Sequence, residues 1–174
     1  MAPTTRRALL ASAAAIVLFA GRGRAATLEL KSTGLSDEQV KDVLERSLSQ
    51  GRYFINSAGM ATEVFAEECV FKDPTNETHS LRKYLAALDV LFDPQHSTLT
   101  LQSIAVSKPR TITAQWTLGG YLKFPWKPFV PEFTGGVTYT LDESGLVIRQ
   151  EETWGISPLE ALRETFTPTP GPPK

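Results

Sequence analysis

Residues 111–130 read TITAQWTLGGYLKFPWKPFV. Up to Gly119 the stretch alternates: Ile112, Ala114, Trp116 and Leu118 share one face, and Thr111, Thr113, Gln115 and Thr117 the other. Two-residue periodicity over that length predicts a strand, which we extend to Phe124. Gly119-Gly120 inside it permits a bulge or sharp bend, the device by which a sheet curls. Pro125 and Pro128 then fix Trp126 and Lys127 in a loop. The long strand predicts the centre of a curved sheet, with Trp116 on the floor of a pocket and the Pro125–Pro128 loop on its rim.

Strands of the same kind flank it. Residues 99–106 precede it across a turn at Lys108-Pro109-Arg110. Residues 135–141 and 146–154 follow as a hairpin around Asp142-Glu143-Ser144-Gly145. Ahead of the strands the period is helical. Ser36 and Gln39 have capping-box spacing, and behind them Val40, Val43, Leu44, Leu48, Gly51, Phe54 and Ile55 form one stripe, which predicts a helix stopped at Asn56-Ser57-Ala58-Gly59. A short second helix is expected over residues 61–67, with Val64 and Phe65 inward, and a short strand over 69–71 that ends in a turn at Asp73-Pro74-Thr75-Asn76. Ser80 caps a third helix carrying Leu81, Tyr84, Leu85, Leu88, Leu91 and Phe92, ended by Asp93-Pro94. Ser157-Pro158 opens a last short helix. The expected class is α+β: a curved, mostly antiparallel sheet forming a cone around N-terminal helices, one domain over residues 36–166. A proline-rich tail, 167–174, is expected to be disordered.

The first 26 residues are of a different composition. Arg6-Arg7, a short apolar run over residues 8–20, and a small-residue end near Ala25 predict an export segment, with twin-arginine export fitting the Thr-Arg-Arg start. The run is short and weakly apolar for a membrane anchor, the alternative reading, so no stable span is expected after processing. The formal net charge of -1 includes Arg6, Arg7, Arg22 and Arg24, so a chain without that segment is more acidic. No basic, aromatic-interleaved patch is present, which argues against nucleic acid as a partner. The single cysteine, Cys69, excludes an intramolecular disulfide and reads as a small buried hydrophobe. Asn76-Glu77-Thr78 fits a glycosylation acceptor, relevant only in a secretory pathway.

The segments Gly51-Arg52-Tyr53-Phe54, residues 65–75 (FAEECVFKDPT), Lys83-Tyr84, Leu91-Phe92-Asp93, Trp116, Pro125-Trp126-Lys127-Pro128, and Glu151-Glu152-Thr153-Trp154 with Ile156-Ser157 carry a resemblance. Over roughly residues 38–167 the chain resembles the nuclear-transport-factor-2-like superfamily (SnoaL-like cone fold). More narrowly, it is similar to an uncharacterised domain-of-unknown-function family of plants, algae and cyanobacteria. The resemblance implies the cone fold and, with the export segment, a chloroplast address in the thylakoid lumen; a periplasmic or secreted location, or a membrane anchor if the segment is uncleaved, are the alternatives. It leaves activity open, because the fold hosts enzymes, binding modules and adaptors.

In enzymes of that superfamily the cone encloses an apolar pocket with one or two carboxylates. Such an acid serves as a general base when burial or a partner moves its pKa toward neutrality. Two acids qualify as catalytic candidates. On the last strand Ile148, Gln150, Glu152 and Trp154 form the less charged face, which we place inward with Glu152 at pocket depth. Glu152 reads as a base, as an anchor for a ligand's polar group, or, the favoured reading, as a structural acid bonded to a Trp, Tyr or Arg. Asp73 is the second, although Asp-Pro is first a turn signal; His79 could lie beside it. Tyr53, Tyr84, Trp116, Tyr121, Trp126, Gln150 and Trp154 are ligand-binding candidates able to stack on or orient a flat apolar molecule, with Arg52 and Lys127 as anion partners. No His, Asp and Glu grouping has metal spacing, and no phosphate loop, dinucleotide fingerprint or nucleophile elbow is present, so no cofactor is expected. Two functions follow as expectations: a module binding a small apolar ligand or a protein, or a cofactor-independent isomerase, dehydratase or hydrolase using Glu152 or Asp73. The uncharged face of Thr111, Thr113, Gln115 and Thr117 predicts a homodimer through the open sheet.

Overall fold

A computed structural model describes residues 30–172. The expected export segment, residues 1–26, lies outside the described residues. Three α-helices, α1 (Asp37–Ser49), α2 (Leu81–Leu91) and α3 (Pro158–Phe166), accompany six strands: β1 (Phe65–Lys72), β2 (Glu77–Thr78), β3 (Phe92–Lys108), β4 (Thr111–Leu122), β5 (Phe129–Leu141) and β6 (Val147–Trp154). The sheet order is β2-β1-β6-β5-β4-β3. The β3–β6 meander is antiparallel as expected, while β1 joins it parallel to β6. The curved, unclosed sheet wraps the helices, an α+β cone.

α1 starts where the capping box places it: Ser36 accepts from the Gln39 amide and the Gln39 side chain accepts from the Ser36 amide. It buries Val40, Leu44 and Leu48 but ends at Ser49, earlier than the stripe suggested. Gly51 sets the exit, because a Cβ there would stand 2.3 Å from the Gly59 carbonyl oxygen. Phe54 and Ile55 are buried from the following turn and only mimic helical spacing.

The expected helix over residues 61–67 is not formed. Thr62–Val64 is a single 3₁₀ turn, and Phe65 already belongs to β1. The misreading has a physical source. β1 is interrupted between Phe65 and Val70, where four residues on β1, 66–69, stand against Ile148 alone on β6, so the buried positions Phe65 and Cys69 fall four apart, the spacing of a helix face. β3 likewise starts at Phe92, straight after α2, and β5 at Phe129, earlier than alternation indicated.

At Gly119-Gly120 the β4–β5 register shifts, Gly119 on β4 standing against Pro131 and Glu132 on β5, as the bend requires. Gly120 has φ +137, and a Cβ there would meet Ser97 at 2.4 Å, so the curl depends on that glycine. Among the described residues no helix is long and apolar enough to cross a bilayer.

Candidate functional site

The concave side of the sheet is filled with side chains. Tyr53, Tyr139 and Gln150 have no exposed surface, and Trp116 and Phe54 almost none. Tyr53 packs on Phe54 at 4.4 Å between ring centroids, Phe54 on Trp116 at 5.3 Å, and Trp116 on Phe133 at 5.6 Å. Gly135 makes room for the indole: a Cβ there would lie 2.3 Å from Trp116. Trp116 is therefore core rather than the floor of an open pocket, and its indole N–H has no hydrogen-bond partner among the described residues.

Within this packing runs a polar chain. Tyr53 donates to Gln150 Oε1 at 3.0 Å, so at the 2.6 Å contact between the two hydroxyls Tyr139 is the donor and Tyr53 the acceptor. The Gln150 amide donates to Tyr84 Oη at 2.9 Å and to Glu152 Oε1 at 2.9 Å. Tyr84 in turn donates to Glu152 Oε1 at 3.1 Å. The amide orientation is fixed by these partners, because turning it over would set the Gln150 carbonyl against a carboxylate. All donors point one way, from Tyr139 toward Glu152, the terminal acceptor.

The β6 alternation explains how Gln150 and Glu152 reach the same side. Leu141 faces Val147 while Thr140 faces Arg149, so Ile148 is an extra, bulged residue. Ile148 is 40% exposed and Val147 is buried, the reverse of the sequence expectation for these two, while Gln150, Glu152 and Trp154 do point inward. Tyr84 arrives from α2, its ring stacked on Phe71 of β1 at 4.0 Å.

Glu152 is half-buried and borders an open depression of about 360 Å³ lined also by Lys72, Asp73, Pro74 and Thr138. Enclosure of its carboxyl, with the negative charge of Asp73 second, pushes it up to about 7, against hydrogen bonds from Gln150, Tyr84 and Trp154 that favour the charged form. Burial also holds the Tyr53, Tyr84 and Tyr139 hydroxyls above their ordinary range, so they remain donors. Burial pushes the Cys69 thiol up to about 12, which leaves it inert at neutral pH.

Asp73 keeps its turn role. Its Oδ1 accepts from the Thr75 amide at 2.7 Å, the Thr75 hydroxyl at 2.7 Å and the Asn76 amide at 2.8 Å, and it faces Glu152 only across the depression. His79 bonds Glu77 at 2.9 Å instead of joining Asp73. Arg52 spends its guanidinium on the Pro94 and Ser97 carbonyls.

Tyr53, Tyr84, Gln150, Glu152 and Trp154 are thus brought together, with Asp73 at the margin. Tyr121 and Trp126 are elsewhere. Tyr121 meets Phe129 and His96. Trp126 lies between Phe124 and Phe166, donates to the Thr165 carbonyl at 2.8 Å, and is covered by the tail, where the Thr169 amide bonds the Trp126 carbonyl at 3.1 Å. That part of the tail, for which composition suggested disorder, is held against the loop, as is Lys127 through the Thr169 hydroxyl. Tyr139 was missed by the sequence reading. Its signal was the alternation Gly135, Val137, Tyr139, Leu141 along β5. Among the described residues no group of three His, Cys, Asp or Glu could hold a metal.

Residues 40–150 match the family described as uncharacterized conserved protein (DUF2358), and the chain belongs to it. No curated protein matches the chain. Solved structures share the fold at low identity. A SnoaL-like protein from Jannaschia sp. CCS1, provisionally called a polyketide cyclase, aligns with TM-score 0.60 and 16% identity over 86% of this chain and 100% of its own. An NTF2-like protein from Burkholderia thailandensis aligns with TM-score 0.56 and 12% identity, over 76% and 99%. The epoxide hydrolase/cyclase-like enzyme SalBIII of salinomycin pyran-ring formation aligns with TM-score 0.53 and 13% identity, over 70% and 95%.

Proposed function

We propose that this chain is a non-enzymatic binding module of the cone fold whose partner is a protein segment presenting apolar side chains. The observation that carries the reading is the filled interior. Tyr53, Trp116, Tyr139 and Gln150 are shut from solvent on the concave side, where the resemblance implies the pocket of a cone-fold enzyme. Apolar contact is offered outside instead, where Leu159, Leu162 and Phe166 are exposed around a groove of about 430 Å³, with Trp126 stacked on Phe166 beside it. The export segment expected over residues 1–26 supports a working place outside the cytoplasm, the thylakoid lumen in the reading from resemblance. Native mass spectrometry of the chain recovered from its own compartment tests this: a bound protein lost in Trp126→Ala/Phe166→Ala is expected, and a chain carrying no other protein counts against it.

A second reading rests on one observation, a carboxyl pushed up to about 7 beside an open depression. In it Glu152 is a general base that takes a proton from a carbon or water placed between Glu152 and Asp73, while Tyr84 and Gln150 hold the carboxylate in place. A substrate whose turnover survives Glu152→Gln would dismiss that reading.

A further inference from the structure

The sheet ends at β3, whose outer edge pairs with no other strand among the described residues. Arg52 occupies the Pro94 and Ser97 carbonyls at its start. Beyond Ser97, no described residue outside β4 hydrogen-bonds to the β3 backbone through residues 98–107. A free edge exposes a row of N–H and C=O groups that templates another strand, and proteins usually guard such edges with Lys, Pro or short length. This edge strand is 17 residues long, and residues 97–107, STLTLQSIAVS, carry no charge, proline or glycine.

Its pattern is also self-complementary. Leu101 faces Trp116 and Ser103 faces Gln115, so Gln102 is a bulged residue. The bulge shifts the alternation by one. Leu99 and Leu101 before it, and Ile104 and Val106 after it, all turn toward the core, and the last three are only half-buried. Thr98, Thr100, Gln102, Ser103, Ala105 and Ser107 are exposed. We propose that the β3 edge pairs with the β3 edge of a second copy, antiparallel, about a two-fold axis beside Gln102 and Ser103. In that register Leu101 stands opposite the second copy's Ile104, and Leu99 opposite its Val106, which closes the half-buried stripe from both sides. Thr100 meets Ala105 on the other face, and the pairing ends at Val106, before a second bulge at Ser107. Residues 99–106 carry no charge, so no like charges face each other. A strand without the bulge would set Leu101 against the polar face, so the bulge makes the pairing symmetric. This contact differs from the face-to-face dimer expected of the open sheet, since it joins two sheets into one and leaves Gln115 free.

Sedimentation of the full chain tests it. The wild type is expected at twice the chain mass. Ser103 is exposed and lies next to the axis, so Ser103→Glu and Ser103→Lys should each return to the chain mass with unchanged circular dichroism. An equimolar mixture of the two should recover the doubled mass, because opposite charges then meet across the axis. Gln115→Glu, on the open face, should leave the mass doubled. A wild type at the chain mass at every concentration overturns the proposal. So does dissociation by Gln115→Glu with none by Ser103→Glu, which would assign the dimer to the face. Failure of the mixture to recover, with both variants folded, overturns the register.

Discussion

Replacing Glu152 by Gln should make the protein more stable above neutral pH and leave it nearly unchanged in acid. The folded carboxyl titrates at about 7 against an ordinary value of 4.5. At about 1.36 kcal/mol for each tenfold change in proton affinity, that difference amounts to about 3 kcal/mol. The residue opens partly to the depression, and solvent there reduces the expectation to about 2 kcal/mol. The sign follows from proton counting. Between 4.5 and 7 the folded state holds the proton that the unfolded chain has released, so stability falls as pH rises through that window and is level above it. In Glu152→Gln the amide oxygen still accepts from Tyr84 and Gln150, so the hydrogen-bonded geometry is kept while the titration is removed. The assay is urea unfolding of both proteins between about pH 5 and pH 8, read as the difference in stability; other titrating groups cancel in it. The wild type should lose about 2 kcal/mol relative to the variant across that range. A flat difference would show a carboxylate with ordinary solvation, and a wild type that gains on the variant with rising pH would show a net stabilised anion; either refutes the enclosure argument. Asp73→Asn gives the cross-check, since removal of that negative charge should lower the Glu152 titration seen by carboxyl NMR.

Four other substitutions probe the packing. Val147→Ala should cost about 2 kcal/mol and Ile148→Ala within about 0.5 by urea unfolding, and the opposite order would contradict the bulge at Ile148. Gly135→Ala should destabilise by about 1–3 kcal/mol because its methyl enters the Trp116 ring, and a neutral melting curve would mean the indole has room to move. Gln150→Leu should cost about 2–4 kcal/mol by leaving the Tyr53 hydroxyl and Glu152 short of a partner, and should raise the Glu152 titration further; an unchanged titration would mean that Gln150 does not hold the carboxylate.

Helix caps and turns were legible because each depends on a few adjacent residues. Ser36, Ser80 and Ser157 all cap helices through their hydroxyls, and Asp73 closes its own turn. β4 was legible because its alternation is unbroken as far as Gly119. What misled were two places where a strand carries extra residues with no glycine to mark them. The insertion in β1 put Phe65 and Cys69 at helical spacing, and one bulge on β6 exchanged Val147 and Ile148. A local period cannot tell an irregular strand from a helix, because the residue count is set by a pairing partner far away in sequence.

The candidate site depended on the same distant pairings. Gln150 and Glu152 could be placed inward from parity alone, because both lie beyond the β6 bulge. Which groups would meet them could not, since Tyr84 comes from α2, Tyr53 from the turn after α1 and Tyr139 from β5. Nor does parity tell whether an aromatic lines a space or fills it. Trp116 and Trp126 both read as pocket-lining aromatics in sequence, yet one is shut into the core by the missing side chain of Gly135 and the other is strapped under α3 and Thr169. The difference matters for function, because a bound molecule inside the cone would have to displace Trp116 or Tyr53 from close-packed neighbours, whereas one at Trp126 need only displace the tail. The weaker attachment is the tail, held to the loop by exposed hydrogen bonds from Thr169, so exchange with a partner costs least there.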